Sequence, residues 1–230
     1  MYDLNWDVVL RYQDEILWGL VLALKLAAFG LAGGVVLGLL AAFARTSGKR
    51  WLAGPAAVYV ELVRNIPLLL LIFIFYFGFP MFAFGSLPEA VAEFVVLDGE
   101  GSVILALTIY GGAYLAEIFR AGILSVGRRY LDAGRSLGLT GFGIARYVTV
   151  PIMLRTVLPS LSNTFISLFK DTSLAAAISV PELTFAARKI STDTFKVIEA
   201  WVTVGVLYLL TSYLIALAMR AIERRIRWSV

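Results

Sequence analysis

The residues best equipped for chemistry sit where the chain is otherwise most apolar. In TVLPSLSNTFISLFKDTSLAAAISV, Lys170 and Asp171 are adjacent ionisable groups, followed by Thr172 and Ser173. Asn163 and Ser167 lie seven and three residues before Lys170, which sets them on roughly one face of a helix. Lys170 and Asp171 point about 100° apart on that helix, so they need not bond to each other. A further acid, Glu117, interrupts SVILALTIYGGAYLAEIF. An ionisable group in hydrocarbon is costly and therefore faces a bundle interior or a wet cavity. The chemistry on offer is recognition of a polar or charged solute along a pathway. Interhelical polar contacts that only set packing explain the same residues nearly as well. Glu117 has three candidate partners: Lys170, Arg120 one turn on, or the amino group of a substrate. A structural ion pair is an equal alternative.

Bond-making chemistry finds no support. Histidine and cysteine are absent, which removes imidazole triads, His/Cys zinc centres and disulfides. There is no G-x-x-x-x-G-K-[ST] loop to cradle phosphate and no G-x-S-x-G elbow. No catalytic residue, metal ligand or cofactor of its own is expected.

Composition names the scaffold that must position these groups. The 230 residues are 60% hydrophobic and 16% charged, with a mean hydropathy of +0.86. That pattern predicts an all-α polytopic membrane protein, because helices satisfy their own backbone hydrogen bonds in lipid. Five spans are expected, at about 16–44, 66–84, 102–119, 156–180 and 200–219. Residues 1–15 form an N-terminal segment without the basic start of a signal peptide. The membrane domain covers 16–222 and a short tail covers 223–230. Alternating barrel strands are not seen.

Orientation follows from charge. Fourteen of the twenty basic residues fall on one side, four on the other and two, Lys25 and Lys170, inside spans. The bias puts the N-terminus outside and the C-terminus in the cytoplasm. The loop at 85–101, with Glu89, Glu93, Asp98 and Glu100 and no base, agrees. The net charge of +4 therefore reflects topology, and no nucleic-acid partner is implied. Residues 55–64 read as a short interface helix leading into span two. Arg64, Asn65 and Pro67 open that span at the cytoplasmic surface, with the proline in its first turn; Arg64 reads as an anchor or a gate partner. Lys25 snorkels if span one is shifted and otherwise faces the interior. Gly30, Gly34 and Gly38 form a smooth stripe for close helix packing, against a helix of this chain or of a neighbour.

The longest cytoplasmic loop contains RRYLDAGRSLGLTGFGIARYVTVP, residues 128–151. Its pattern is a short amphipathic helix, a bend at Gly138, Gly141 and Gly143, and a second short helix running to Pro151. Glycine allows a sharp bend and close backbone approach. A helix lying on lipid head groups fits the same pattern.

This loop resembles the cytoplasmic motif of ABC importer membrane subunits: Glu-Ala-Ala, three residues, Gly, nine residues, Ile-x-Leu-Pro. Asp132, Ala133 and Gly134 occupy the first three positions, Gly138 follows after three residues, and Val148 to Pro151 follow after nine more. Residues 63–78, 111–126 and 158–178 also look like the polar-amino-acid branch of these permeases. The resemblance implies a type I permease fold whose loop at about 128–151 carries coupling helices, with Asp132, Ala133, Gly134, Gly138 and Pro151 contacting a cytoplasmic ATPase dimer. ATP and Mg are then handled by that partner. It further implies a second permease chain, identical or related, an extracytoplasmic amino-acid-binding protein, and alternating access in a bacterial inner membrane. The segment YDLNW is loosely similar to glutamate/aspartate permeases, which puts those substrates first, with glutamine and basic amino acids behind. The rival reading is an ion-coupled secondary transporter or channel without an ATPase; five spans lacking an evident repeat argue against it.

Overall fold

A computed structural model describes residues 4–227; residues 1–3 of the N-terminal segment and 228–230 of the tail lie outside it. Helix α1 (Asp7–Arg11) precedes the long α2 (Gln13–Thr46) and α3 (Arg50–Arg64). A π-helical turn at Ile74–Gly78 joins α4 (Leu68–Phe73) to α5 (Phe79–Ser86), and α6 (Glu89–Val95) leads into α7 (Gly99–Leu124). Helices α8 (Arg128–Ser136) and α9 (Gly141–Ile144) follow. A second π turn, Ala145–Thr149, enters α10 (Val150–Asp171), which ends in a 3-10 segment, Thr172–Ile178. Helices α11 (Leu183–Thr194) and α12 (Val197–Arg227) complete the chain. The described residues contain no strand.

Five stretches are long and apolar enough to cross a membrane: Gln13–Thr46, Leu68–Ser86, Gly99–Leu124, Gly141–Ile178 and Val197–Arg225. They match the five expected spans, and most run beyond the expected ends. The largest difference is in span four. The second short helix of the loop does not stop at Pro151 but continues into span four as one helical run from Gly141. The reason is local. Proline lacks an N–H, and its ring clashes with the carbonyl four residues back. Just before Pro151 the Val150 N–H bonds to the carbonyl of Ala145, five residues back, and the widened turn takes up the proline. The same device recurs before Pro80, where the Phe79 N–H bonds to Ile74.

The glycine stripe sets the central contact. Gly30 faces Leu107, Gly34 faces Gly111 and Gly112, and Gly38 faces Leu115 and Ala116. Both numbers rise together, so α2 and α7 run parallel, and the partner of the stripe lies within this chain. A methyl on Gly30 would sit 2.6 Å from the Leu107 Cβ, and one on Gly38 would sit 2.8 Å from the Leu115 Cβ. Around this seam, Leu26, Ile72, Val103, Leu107 and Leu168 form the main apolar core. A second core joins Val8, Ile16, Phe169, Leu183, Ile190 and Val204 from α1, α2, α10, α11 and α12.

The same parallel register answers the question of Lys25. Its ammonium meets Glu100, in the first turn of α7, at 2.6 Å, and its side chain is half exposed. Lys25 therefore lies level with the start of a span, not in the bundle interior.

Helix α3 departs from expectation. It is longer than 55–64 and packs on other helices of the chain. Its apolar face, Ala56, Tyr59, Val60 and Val63, packs on α2 and α7. The Tyr59 hydroxyl donates to the Ile109 carbonyl at 2.7 Å. Small residues on α7, Gly112 and Ala116, leave room for this docking. Arg64 at its end stacks on Tyr114, which is ten residues, or about 15 Å, from the end of α7. The Arg64–Pro67 break thus lies level with the middle of α7 rather than with its end, at mostly exposed positions.

Glu182, fully buried, holds α11 in place. It accepts the Thr184 and Phe185 amides at 2.9 Å each and the Tyr208 hydroxyl of α12 at 2.7 Å. Burial raises its carboxyl above the usual range, against the pull of those hydrogen bonds. Helix α12 runs on through residues 223–227 of the expected tail, and Glu223 accepts a 2.7 Å hydrogen bond from Ser162.

Candidate translocation groove and docking loop

The face of α7 next to the glycine seam borders a cavity. Tyr110, Tyr114 and Ile118 recur there at four-residue steps. Ser160, Asn163, Thr164, Ser167 and Asp171 answer from α10 at steps of three and four. Each set falls on one helical face. The cavity is about 540 Å³, and Gly111 lets α10 approach, since a methyl there would lie 3.0 Å from the Leu168 side chain. Tyr110 and Tyr114 form one wall, their rings 4.8 Å apart and their hydroxyls 3.4 Å apart.

The expected polar stripe is therefore present in Asn163, Ser167 and Asp171, and it is extended by Ser160 and Thr164. Three expected members do not line it. Lys170, at the margin of the stripe, is exposed and absent from the cavity lining. Thr172 is fully buried and spends its hydroxyl on the Phe169 carbonyl at 2.7 Å. Ser173 is half-buried and lies outside the cavity lining. For Thr172 and Ser173 the cause is the change from α to 3-10 period after Asp171, which turns their side chains out of register.

A second cavity of about 460 Å³ continues the groove, sharing Ile118 and Ser160 and adding Arg64, Glu117 and Thr156. Here Glu117 is clamped. One carboxylate oxygen accepts from Arg45 of α2, and the other accepts from Arg120 Nε at 3.0 Å and Nη2 at 2.8 Å. Of the three candidate partners, Arg120 is the one found, and Arg45 was missed because the sequence placed it among surface charges. Extending the α2–α7 seam past Gly38 would have found it. The Arg64 guanidinium lies 5.3 Å from the Tyr114 ring centre, within cation–π range, and borders this cavity. Asn65 and Pro67 shape the break instead. The Asn65 amide donates to the Glu61 carbonyl at 2.6 Å, and Pro67, extended at ψ 136°, immediately precedes α4 rather than lying within its first turn.

The loop beyond α7 is built around two differently used glycines. Gly138 adopts φ +75°, and no atom lies within 4 Å of where its Cβ would be. Its N–H bonds to Arg135 at 2.9 Å and that of Leu139 bonds to Gly134 at 3.1 Å, a Schellman ending for α8. Gly138 thus serves conformation and not close approach. Gly134 is buried, a methyl there would lie 3.4 to 3.6 Å from Ile144, Leu139 and Val148, and the residue lets α8 fold back on the following helix. Thr140 caps α9 by accepting the Gly143 amide at 3.2 Å.

This fold-back leaves one surface open. Ala133 and Pro151 are exposed, and Asp132 pairs only with Arg135, at 2.8 Å. Leu137 is 82% exposed, Phe142 76% and Tyr147 66%. Large apolar side chains at such exposure, beside arginines, form an open mixed surface of the kind proteins use for contacts. Among the described residues no cluster of acids could hold a metal ion.

Comparison with known proteins gives one consistent result. Residues 34–228 match the family model for "Binding-protein-dependent transport system inner membrane component". The glutamine transport system permease protein GlnP of Escherichia coli K12 is 36% identical over 97% of this chain and 98% of its own length. The L-cystine transport system permease protein TcyB of Bacillus subtilis is 35% identical over 96% of this chain and 91% of its own. The octopine transport system permease protein OccM of Rhizobium meliloti is 34% identical over 94% and 85%. A crystal structure of an amino acid ABC transporter with histidines superposes with a TM-score of 0.83 at 28% identity, covering 97% of this chain and all of that one. The motor of such an importer is a separate chain, so this chain is a permease subunit without an ATPase site of its own. With its helical spans, its groove and its open loop, the protein belongs to the family of inner membrane components of binding-protein-dependent transport systems.

Proposed function

We propose that this chain supplies one half of a transmembrane pathway for a polar L-amino acid, glutamine before glutamate or aspartate. The observation that carries the reading is the groove between α7 and α10, polar along one side and ending at Asp171. Among the described lining residues of its first cavity are one carboxylate and no lysine or arginine; Arg64 and Glu117 border only the cavity that continues it. Asp171 suits an α-ammonium group, while Asn163, Ser160, Thr164 and Ser167 offer neutral donors and acceptors. A second carboxylate on the substrate side chain would be repelled. That argument favours a side-chain amide over the acidic substrates suggested by YDLNW. The naming of the E. coli relative as a glutamine permease supports the same order.

The remaining parts follow from the family. A second permease chain closes the groove. An extracytoplasmic binding protein delivers the substrate on the side of the N-terminus, as the charge bias suggests. A cytoplasmic ATPase pair, holding ATP and Mg, takes the surface formed by Asp132, Ala133, Leu137 and Phe142. Closure of that pair moves α8 and α9. Because α9 continues without a break into α10, the motion reaches the groove directly. The switch requires a surface that distinguishes two states of the motor, and this loop is that surface.

The test is uptake into vesicles containing the complete importer, with labelled glutamine, glutamate and arginine in turn. Glutamine uptake that collapses in Asp171→Asn, with the complex intact, supports the reading. Glutamate uptake above glutamine, or transport indifferent to Asp171, would sink it.

A further inference from the structure

Near the start of α7, a cavity of about 430 Å³ opens between α2 and α11. Two ion pairs stand on its walls: Lys25 with Glu100 at 2.6 Å, and Lys189 with Glu15 at 3.2 Å. Asp14 also borders it and makes no ion pair among the described residues. Trp18, Val21 and Phe185 supply the apolar part. Asp14, Trp18, Val21 and Lys25 fall on one face of α2, opposite the glycine seam. The same face continues as Phe29, Val36 and Leu40, each more than half exposed.

We propose that this cavity seats the headgroup of a phospholipid bearing a primary ammonium, a phosphatidylethanolamine, with its acyl chains lying along Phe29, Val36 and Leu40. Charge complementarity singles out this occupant. Three carboxylates against two ammonium groups leave one acid over, Asp14, which accepts the lipid ammonium. Lys25 and Lys189 each keep donors beyond those given to their glutamates, and these reach the phosphate. An anionic headgroup would meet the excess acid unpaired. A second protein copy fits less well, because interface cores are depleted in Lys, Glu and Asp, and this face places several of them beside the apolar stripe. Exposed Trp6 and Trp18 near the same end suit a membrane–water interface.

The test is native mass spectrometry of the full complex, extracted in mild detergent with equal amounts of phosphatidylethanolamine, phosphatidylcholine and phosphatidylglycerol of matched chains. Phosphatidylethanolamine is expected to be retained about threefold over the other two, the scale of one exposed ion pair. Asp14→Asn should erase the preference and Asp14→Glu should keep it. If Asp14→Asn lowers the yield of folded complex, Lys25→Gln serves the same comparison through the phosphate contact. No headgroup preference in the unaltered protein overturns the proposal. So does a preference that survives both Asp14→Asn and Lys25→Gln. Crosslinking from position 18 that captures a second copy in place of lipid overturns it as well.

Discussion

Helix α7 turns one face to α2 and the other to α10, and the two faces differ in kind. Toward α2 the contact is close, with glycines on both sides, and a methyl on Gly30, Gly33 or Gly38 would come within 3.0 Å of Leu107, Thr108 or Leu115. Toward α10 the side chains are tyrosines, hydroxyls, an amide and a carboxylate around open space. Without a hydrophobic force between helices in lipid, a seam that must stay shut relies on dispersion and fit. A pathway needs polar groups kept apart so that a solute can replace the water between them. One helix does both because its two faces are addressed separately by a 3.6-residue period. The difference also divides the expected consequences of mutation. Damage to the seam should unfold the protein; damage to the groove should leave it folded and idle.

The strongest challenge to that division is Gly38→Leu. Its Cβ would lie 2.8 Å from that of Leu115 and 3.0 Å from the Gly112 carbonyl. Overpacking of this kind costs about 1–3 kcal/mol or more, and backbone on one side cannot move aside. The expected result is loss of the monodisperse peak in size-exclusion chromatography. A folded, transporting variant would show that the seam is not tight.

Glu117→Gln comes next. It removes the charge that Arg45 and Arg120 share and weakens the tie between α2 and α7. Since the groups are partly solvated, a loss of about 1–2 kcal/mol is expected, seen as a lower melting temperature. A double-mutant cycle with Arg45→Met should recover a coupling of about 0.5 kcal/mol or more. No coupling would reassign Glu117 to the groove as a solute contact.

Gly138→Ala separates a third region from both. The site has space, so only its positive φ resists a side chain, at about 1–2 kcal/mol. The protein should fold with modest loss, while transport-coupled ATP hydrolysis falls sharply as the end of α8 is redirected. Hydrolysis unchanged would count against the docking surface.

The finest comparison sets two neighbours side by side. Asp171→Asn should lower uptake roughly tenfold or more by removing a charge-assisted contact, with little change in stability. Lys170→Met, one residue away but outside the lining, should leave uptake within about twofold and stability within about 0.5 kcal/mol. Equal effects would mean that the groove is drawn on the wrong face of α10.

Much of this architecture can be read without coordinates. Runs of apolar residues long enough to cross a bilayer declare five spans, because backbone groups in lipid have no partner but their own helix. The spacing Asp132–Gly138–Pro151 declares the loop, because a left-handed turn admits glycine readily and other residues poorly. The polar steps at Asn163, Ser167 and Asp171 declare one face of a helix. What stayed hidden depends on which helices are neighbours and in what direction they run. Arg45 meets Glu117 and Lys25 meets Glu100 only because α2 and α7 lie parallel and in close register, an arrangement that no local pattern contains. Arg64 reaches Tyr114, midway along α7, because the apolar face of α3 found small residues on α7 to pack against. Thr172 and Ser173 fall outside the groove lining because the helix changes period after Asp171. The sequence by itself determined the spans, the bend and the polar stripe, since each follows from the preferences of residues near one another in the chain. Tertiary structure alone decided which charges pair, which face is sealed and which is open, since those depend on distances between residues far apart in the chain.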